Sequence, residues 1–259
     1  FAFSVNAQSG QLLDPYDRNG AQFWCGYALL WFLKHNPTSD LWDPIEEAVD
    51  DFFTLANATY WTGNDAGLQT HAFRLGKGKY TLPSYEFDPD ILPQACSTEH
   101  NLDGFFALKL AGEVLGNAAY TAQAALLRES LLTRFWDFSH DRTFQGIASP
   151  TQVDTCHALD CASWYSLVAE DALDRAKQEA CLRIVEDYAV TDQGVHGYTA
   201  YRPQYGYPGA EDSLWVEGTC GVILAWSAAG RVDRALREHI QLASLLRPDG
   251  FPYVTQNDP

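Results

Sequence analysis

Three stretches of the chain put carboxylates where helices begin. The first reads Cys96-Ser97-Thr98-Glu99-His100-Asn101-Leu102-Asp103-Gly104-Phe105-Phe106, followed by an apolar run to Leu115. Ser97 and Thr98 are helix-start residues whose hydroxyls can accept from free backbone N–H groups. Glu99, Asp103, Phe106 and Leu110 step by 4, 3 and 4, so they share one face of a helix. A stripe that is apolar further along therefore opens with two acids, with His100 beside them. Buried carboxylates without partners are costly, so such a face lines a site. The plainer alternative is that the acids only complement the positive end of the helix.

The pattern recurs. Thr98, His100, Leu102 and Asp103 match Thr155, His157, Leu159 and Asp160, each 57 positions later. His157, Asp160, Trp164 and Leu167 again fall on one stripe. A looser third copy begins at Ser213, with Glu217, Gly221 and Leu224 in line. Self-similarity at such a period signals a repeat architecture.

These acids need elements to carry them. Dense apolar residues over 21–33 predict a buried helix that ends at His35-Asn36-Pro37, and Asp43-Pro44 opens a second helix to about Asn57. Further helical pairs are expected at His100–Leu115 with Ala119–Phe138, at His157–Glu170 with Ala172–Tyr188, and at Trp215–Ala229 with Val232–Leu246. Gly112, Gly116 and Gly230 are expected just past helix ends. Residues 1–19 read as irregular. Residues 58–96 have no helical period, and a long excursion of this kind tends to be functional. The loop between Gly194 and Gly209 concentrates Tyr198, Tyr201, Tyr205 and Tyr207 with Arg202. No convincing strand pair is visible. Asp249-Gly250-Phe251-Pro252-Tyr253 reads as a turn into a further element. The first helix of each pair is the more apolar one and is expected to pack inside. The helix starts and the long loops would then meet at one mouth.

Composition narrows the function classes. Of 259 residues, 46% are hydrophobic and 14% aromatic, which supports a sizeable core and a single domain over 1–259. The formal net charge of −17, with no basic cluster, argues against nucleic acid or an anionic membrane as partner. No apolar run approaches the ~18 residues of a membrane helix. The chain starts at Phe1, contains no Met and shows no signal peptide, so it reads as trimmed or as part of something longer, and its compartment stays unknown. Six cysteines permit three disulfides in 15 connectivities, but their density is modest, and thiols are the expectation.

Ser97-Thr98-Glu99-His100-Asn101-Leu102-Asp103, Ala158-Leu159-Asp160 with Ser163-Trp164, and Leu214-Trp215-Val216-Glu217-Gly218-Thr219 together resemble the six-hairpin glycosidase-like superfamily. The likeness covers roughly residues 20–255. It implies an all-α fold, an (α/α) toroid of helical hairpins whose central cleft binds an oligo- or polysaccharide and carries acidic catalysts at helix starts. Four hairpins are countable where a closed toroid has about six. Either the toroid is partial or further helices lie within 1–19 and 58–96.

Glycoside hydrolysis uses two carboxyl groups flanking the bond. Glu99 is the candidate acid and Glu217 the candidate base or partner acid, with no cofactor required. His100, Asp103, His157 and Asp160 would bind or orient sugar hydroxyls, and Trp61, Trp164, Trp215 and Tyr207 would contact sugar faces. Core packing is the competing reading for the tryptophans. Two other functions compete with hydrolysis. One is a glycan-binding or assembly module on the same fold. The other is a zinc enzyme, because Trp24-Cys25-Gly26 and Cys156-His157 resemble the ligands of lanthionine-cyclase-like toroids, although Ala158 stands where those have glycine.

Overall fold

The computed structural model describes residues 4–5, 12–65, 68–81, 84, 86–168 and 172–246. The chain gathers into two compact units, Phe1–Arg134 with Gly146–Val153, and Phe135–Gln145 with Asp154–Pro259.

The first unit holds helices α1 (Asn19–His35), α2 (Trp42–Asn57), α3 (Thr98–Val114) and α4 (Ala118–Thr133). α1 packs against both α2 and α3, and α3 also packs against α4. The two leading helices thus lie face to face, each flanked by its own follower. Glycines permit the close approach. The Phe23 ring fills the place of a side chain at Gly104, and the Phe53 ring does the same at Gly26. Phe23 meets Phe53 and Phe73 at ring-centroid distances of 5.8 and 4.8 Å. α1 is not buried all round, since Trp24, Trp31 and Phe32 are exposed.

The excursion expected over 58–96 is built from strands. Tyr60–Asp65 pairs antiparallel with Leu68–Phe73 from Tyr60↔Phe73 to Asp65↔Leu68. Lys79–Thr81 pairs with Glu86–Asp88, and Asp17–Arg18 with Gly76–Lys77. No helix occupies the described residues between α2 and α3. The all-α expectation is therefore corrected to a mostly helical fold with short strand pairs. Tyr60-Trp61-Thr62-Gly63-Asn64-Asp65 reads as a turn because only its aromatics suit a strand, whereas cross-strand pairing decides the outcome.

Asn101 clamps this layer onto α3. Its Oδ1 accepts from the Phe73 N–H at 2.7 Å, while its Nδ2 donates to the Phe73 carbonyl at 2.9 Å and to the Ser97 carbonyl at 2.7 Å. The side chain has no exposure at all.

The second unit holds α5 (Leu159–Ser163), α6 (Ala172–Val185), α7 (Val216–Ala228) and α8 (Val232–Ala243). α5 packs against α6 and α7, and α7 against α8. α5 is far shorter than its expected span, because the chain tightens into a 3₁₀ turn over Tyr165–Val168. Ala189–Asp192 and Val195–Tyr198 form a hairpin that the sequence reading placed partly in a loop. Val190, Leu214, Val216, Leu242 and Leu245 make a buried cluster beneath it.

The four helical pairs thus stand, with corrected edges. α4 stops at Thr133, and Trp136–Asp137 pairs instead with Arg142–Thr143. Gly116 and Gly230 take positive φ after α3 and α7, at 65° and 76°. Gly112 does not end a helix; it lies within α3 against Thr121. The turn expected over 249–253 lies outside the described residues, as do residues 1–3 and 6–11 of the irregular start. Among the described residues no helix is long and apolar enough to cross a membrane.

Replacing Asn101 with leucine leaves the Phe73 and Ser97 backbone groups without their partner. The Asn101→Leu variant is expected to lose about 3 kcal/mol of stability, read as a lower urea midpoint, whereas Asn117→Leu at the exposed start of α4 loses less.

Candidate functional site

Three acids occupy the same place in three helices. Glu99, Asp160 and Glu217 are each the second residue of their helix, in α3, α5 and α7. The residues before those helices, Ser97, Ala158 and Trp215, are extended, and none caps its helix with a side chain. The expected hydroxyl cap at Ser97 is thus absent, and an acidic residue stands in the first turn of each helix, complementing its positive end. This register aligns Glu99 with Asp160, whereas the repeat read from sequence aligned Asp103 with it. The 57-residue offset follows residue identity, but the two helices start at different points within the repeat.

In the second unit one short run of backbone fixes two of these starts. The Tyr198 carbonyl accepts from the Trp215 N–H at 2.8 Å, and the Ala200 carbonyl accepts from the Leu159 N–H at 3.0 Å. The Thr219 hydroxyl accepts from the Tyr198 N–H at 3.0 Å and donates to the Trp215 carbonyl at 2.8 Å. Asp160 and Glu217 are brought within electrostatic reach of each other. Asp160 is 7% exposed, and its Oδ1 accepts from the Cys161 N–H at 2.7 Å. Burial, and to a lesser extent the negative charge of Glu217, push the Asp160 carboxyl up to about 6 against the pull of that hydrogen bond. Glu217 itself is exposed. One carboxyl that holds its proton up to about pH 6 is thus within electrostatic reach of one that meets solvent.

Two rings of this unit rest on glycines. Trp215 folds over Gly218, and the half-buried Trp164 lies against Gly221, where an added Cβ would sit 3.3 Å from both its Nε1 and Ser163 Oγ. Tyr201 and Tyr207 pack together at 4.3 Å. Leu224, expected in line with Glu217 and Gly221 on a buried stripe, is instead 51% exposed.

His157 belongs to the framework. It is wholly buried, with Nε2 2.9 Å from the Thr143 hydroxyl and Nδ1 2.9 Å from the Tyr188 hydroxyl. Each hydroxyl also lies within reach of a carbonyl, Thr143 of Cys161 and Tyr188 of His157; the neutral ring donates its one N–H to one hydroxyl and accepts from the other. Both ring nitrogens are thereby used within the protein, which leaves none for the sugar contact expected of it. Burial first, and then the Arg142 guanidinium, push the imidazole down to about 3. Thr143, Tyr188 and Gln145, whose Oε1 accepts from the Ala158 N–H at 2.9 Å, are not anticipated from sequence, and Tyr198 and Thr219 stand out there only within longer stretches.

In the first unit, His100 and Asp103 both face the start of α1. A Cβ at Gly20 would stand 2.6 Å from His100 Cδ2 and 3.2 Å from Asp103 Oδ2. Burial and the Arg18 charge push His100 down to about 4. Asp103 is 6% exposed, and Glu99 is half-buried. Trp61 lies over Gly63 on its own strand. This unit therefore gathers Glu99, His100 and Asp103 at the α3 start, with Arg18 as an unanticipated neighbour.

The zinc reading loses its ligand set. Among the described residues no three His, Cys, Asp or Glu side chains gather as a metal site. Cys25 is exposed on α1, while Cys156 packs beside Gly206. The cysteines are thiols, as expected.

No protein-family model matches the sequence, and no curated protein is similar to it in sequence. Solved structures do share the fold. A family 76 glycoside hydrolase from a bovine Bacteroides thetaiotaomicron strain matches with a TM-score of 0.62 at 11% identity, over 93% of this chain and 49% of its own. A D-mannose isomerase matches at 0.64 and 12%, over 95% and 66%. An alpha-amylase from Clostridium perfringens matches at 0.63 and 16%, over 97% and 66%. The chain thus spans between half and two thirds of the length of these neighbours. At these identities the likeness is one of fold.

The buried histidine makes a pH prediction. Unfolded His157 takes up a proton below about pH 6.5, but in the fold it does so only near 3. The stability it contributes is therefore complete above pH 6.5 and falls as the medium is acidified, by about 2 kcal/mol at pH 5. Asp160, raised in the fold, contributes with the opposite sign between its unfolded value and about 6. Urea unfolding at pH 7.5 and pH 5 should show a smaller loss in His157→Gln than in the parent.

Proposed function

We propose that the protein is a carbohydrate-active enzyme, a glycoside hydrolase whose hairpins form part of an (α/α) toroid. The observation that carries this reading is the Asp160–Glu217 pair, two carboxyls at adjacent helix starts with divergent surroundings. The inner pairing of α1 with α3 and of α5 with α7 supports the toroid. The shared fold with a glycoside hydrolase, an alpha-amylase and a sugar isomerase supports the carbohydrate chemistry.

Asp160, holding its proton up to about pH 6, suits the general acid that protonates the departing glycosidic oxygen. Glu217, at the solvent-facing start of α7, suits the carboxylate that activates water or attacks the sugar. Within the first unit, Glu99 holds the same register of α3 and suits a second acid, with Asp103 and His100 beside it to orient hydroxyls. Trp164, Trp215 and Tyr207 supply aromatic contact.

A glycan-binding module is the second reading. The exposure of Glu217 favours it, because catalytic carboxylates work best where water is excluded.

The test is a panel of neutral manno- and gluco-oligosaccharides, with free mannose added, scored for new reducing ends and for isomerisation. Asp160→Asn, Glu217→Gln and Glu99→Gln are each expected to lower kcat by about a hundredfold or more. Full activity in all three overturns the assignment, and binding without turnover selects the module. In the parent, kcat/KM should fall as pH rises through about 6, as Asp160 gives up its proton. That limb should vanish in any residual activity of Asp160→Asn.

A further inference from the structure

The strand Val195–Tyr198 packs against both α7 and α8 of the second unit. Toward α7, the Tyr198 carbonyl accepts from the Trp215 N–H, and the Tyr198 N–H donates to the Thr219 hydroxyl. A Cβ at Gly197 would stand 2.8 Å from Leu214 Cδ1 and 3.0 Å from Thr219 Oγ1, so the strand lies close against this helix start. Toward α8, two side chains about one turn apart take hold of the same strand. Glu238 Oε2 accepts from His196 Nδ1–H at 2.8 Å, and Gln241 Oε1 accepts from the His196 backbone N–H at 3.4 Å. The other Glu238 oxygen lies 3.5 Å from the Tyr198 hydroxyl.

The Glu238–His196 pair differs from the ion pairs of the surface. The Glu238 side chain is 8% exposed, while that of His196 is 40% exposed. A carboxylate so far buried is costly without donors. Among the described residues its hydrogen-bond partners are His196 and Tyr198, which are two apart on one strand and therefore project to the same side. A slip of the strand by one residue would turn both away from Glu238. The buried carboxylate thus specifies where the strand sits, and the strand specifies where α7 begins. One step further along, the Ala200 carbonyl fixes the Leu159 N–H at the start of α5.

We propose that His196 and Glu238 are positioning residues, which hold the strand that sets the start of α7 and with it the place of Glu217 relative to Asp160. Neither is a catalytic residue. The kinetic consequence rests on the carbohydrate-active reading, whereas the hold on α7 rests on the contacts alone. Small displacements of a reacting group lower the rate of the chemical step with little effect on substrate affinity.

The experiment compares the full chain with His196→Ala, His196→Asn and the double variant His196→Ala/Glu238→Gln. Two quantities are measured. One is kcat and KM on the neutral manno- or gluco-oligosaccharide that the parent cleaves fastest. The other is amide hydrogen exchange at Trp215 and Leu159, whose N–H groups are held by Tyr198 and Ala200. His196→Ala should lower kcat about tenfold with KM changed by less than about twofold. Exchange at Trp215 and Leu159 should quicken by about tenfold, with amides in the middle of α7 unchanged. His196→Asn should restore both, since its amide N–H can donate to Glu238 in place of Nδ1–H. The double variant should keep the loss, because the strand is still unheld although no buried charge is stranded. Parent-like exchange at Trp215 in His196→Ala overturns the proposal, whatever the activity. Recovery in the double variant also overturns it, since a stranded carboxylate was then at fault. Faster exchange with kcat at the parent level overturns the positioning role. If the parent turns over no neutral sugar while exchange responds as stated, the carbohydrate reading fails and the hold on α7 stands.

Discussion

Two helix starts in the second unit hang from a run of three residues, Tyr198 to Ala200. Tyr198 holds the entry to α7 and Ala200 the entry to α5, and the side chain of Thr219 closes the first attachment from within the helix. An amide hydrogen bond of this kind adds only about 1 kcal/mol net, yet here it decides position. Asp160 lies one residue and Glu217 two residues past those attachments, so backbone pairing sets where both carboxyls stand.

Burying a carboxyl beside another would be unfavourable if the surroundings had loose polar ends. The framework answers with uncharged hydrogen bonds. His157 joins Thr143 to Tyr188, donating to one hydroxyl and accepting from the other, and the hydroxyl that receives the ring proton passes its own to a carbonyl. Gln145 occupies the Ala158 N–H. Asn101 does the same for the strand layer of the first unit. Such closed networks stiffen a site, and each costs more to open partway than it contributes when complete.

The helical pairs were legible because an apolar period survives over three or four turns, as in Phe23, Leu30 and Leu33 or in Leu102, Phe105 and Leu108. The carboxylates were legible as well, because acids interrupt such a period. Much of the rest depends on partners far along the chain. Asn101 meets Phe73 across 28 positions, and Tyr198 meets Thr219 across 21. A lone polar residue carries no mark of what it will bond. The strands were hidden for a related reason. A two-residue strand such as Cys96–Ser97 has no alternation to detect and exists only because Gly146–Ile147 lies beside it. Leu224 was misjudged because its spacing marked a stripe, while the packing of α5 on α7 uses the neighbouring face through Gly221.

Of the cysteines, Cys25 and Cys220 alone are exposed; Cys96, Cys161 and Cys181 are buried. Burial also raises the Cys96 thiol to about 12, which keeps it protonated and poorly nucleophilic. Cys156 is half-buried, so a maleimide dye would attach first at two addresses, one on α1 and one on α7. The second lies one turn beyond Glu217 on the same helix, so a fluorophore at Cys220 becomes a reporter at the edge of the carboxylate pair.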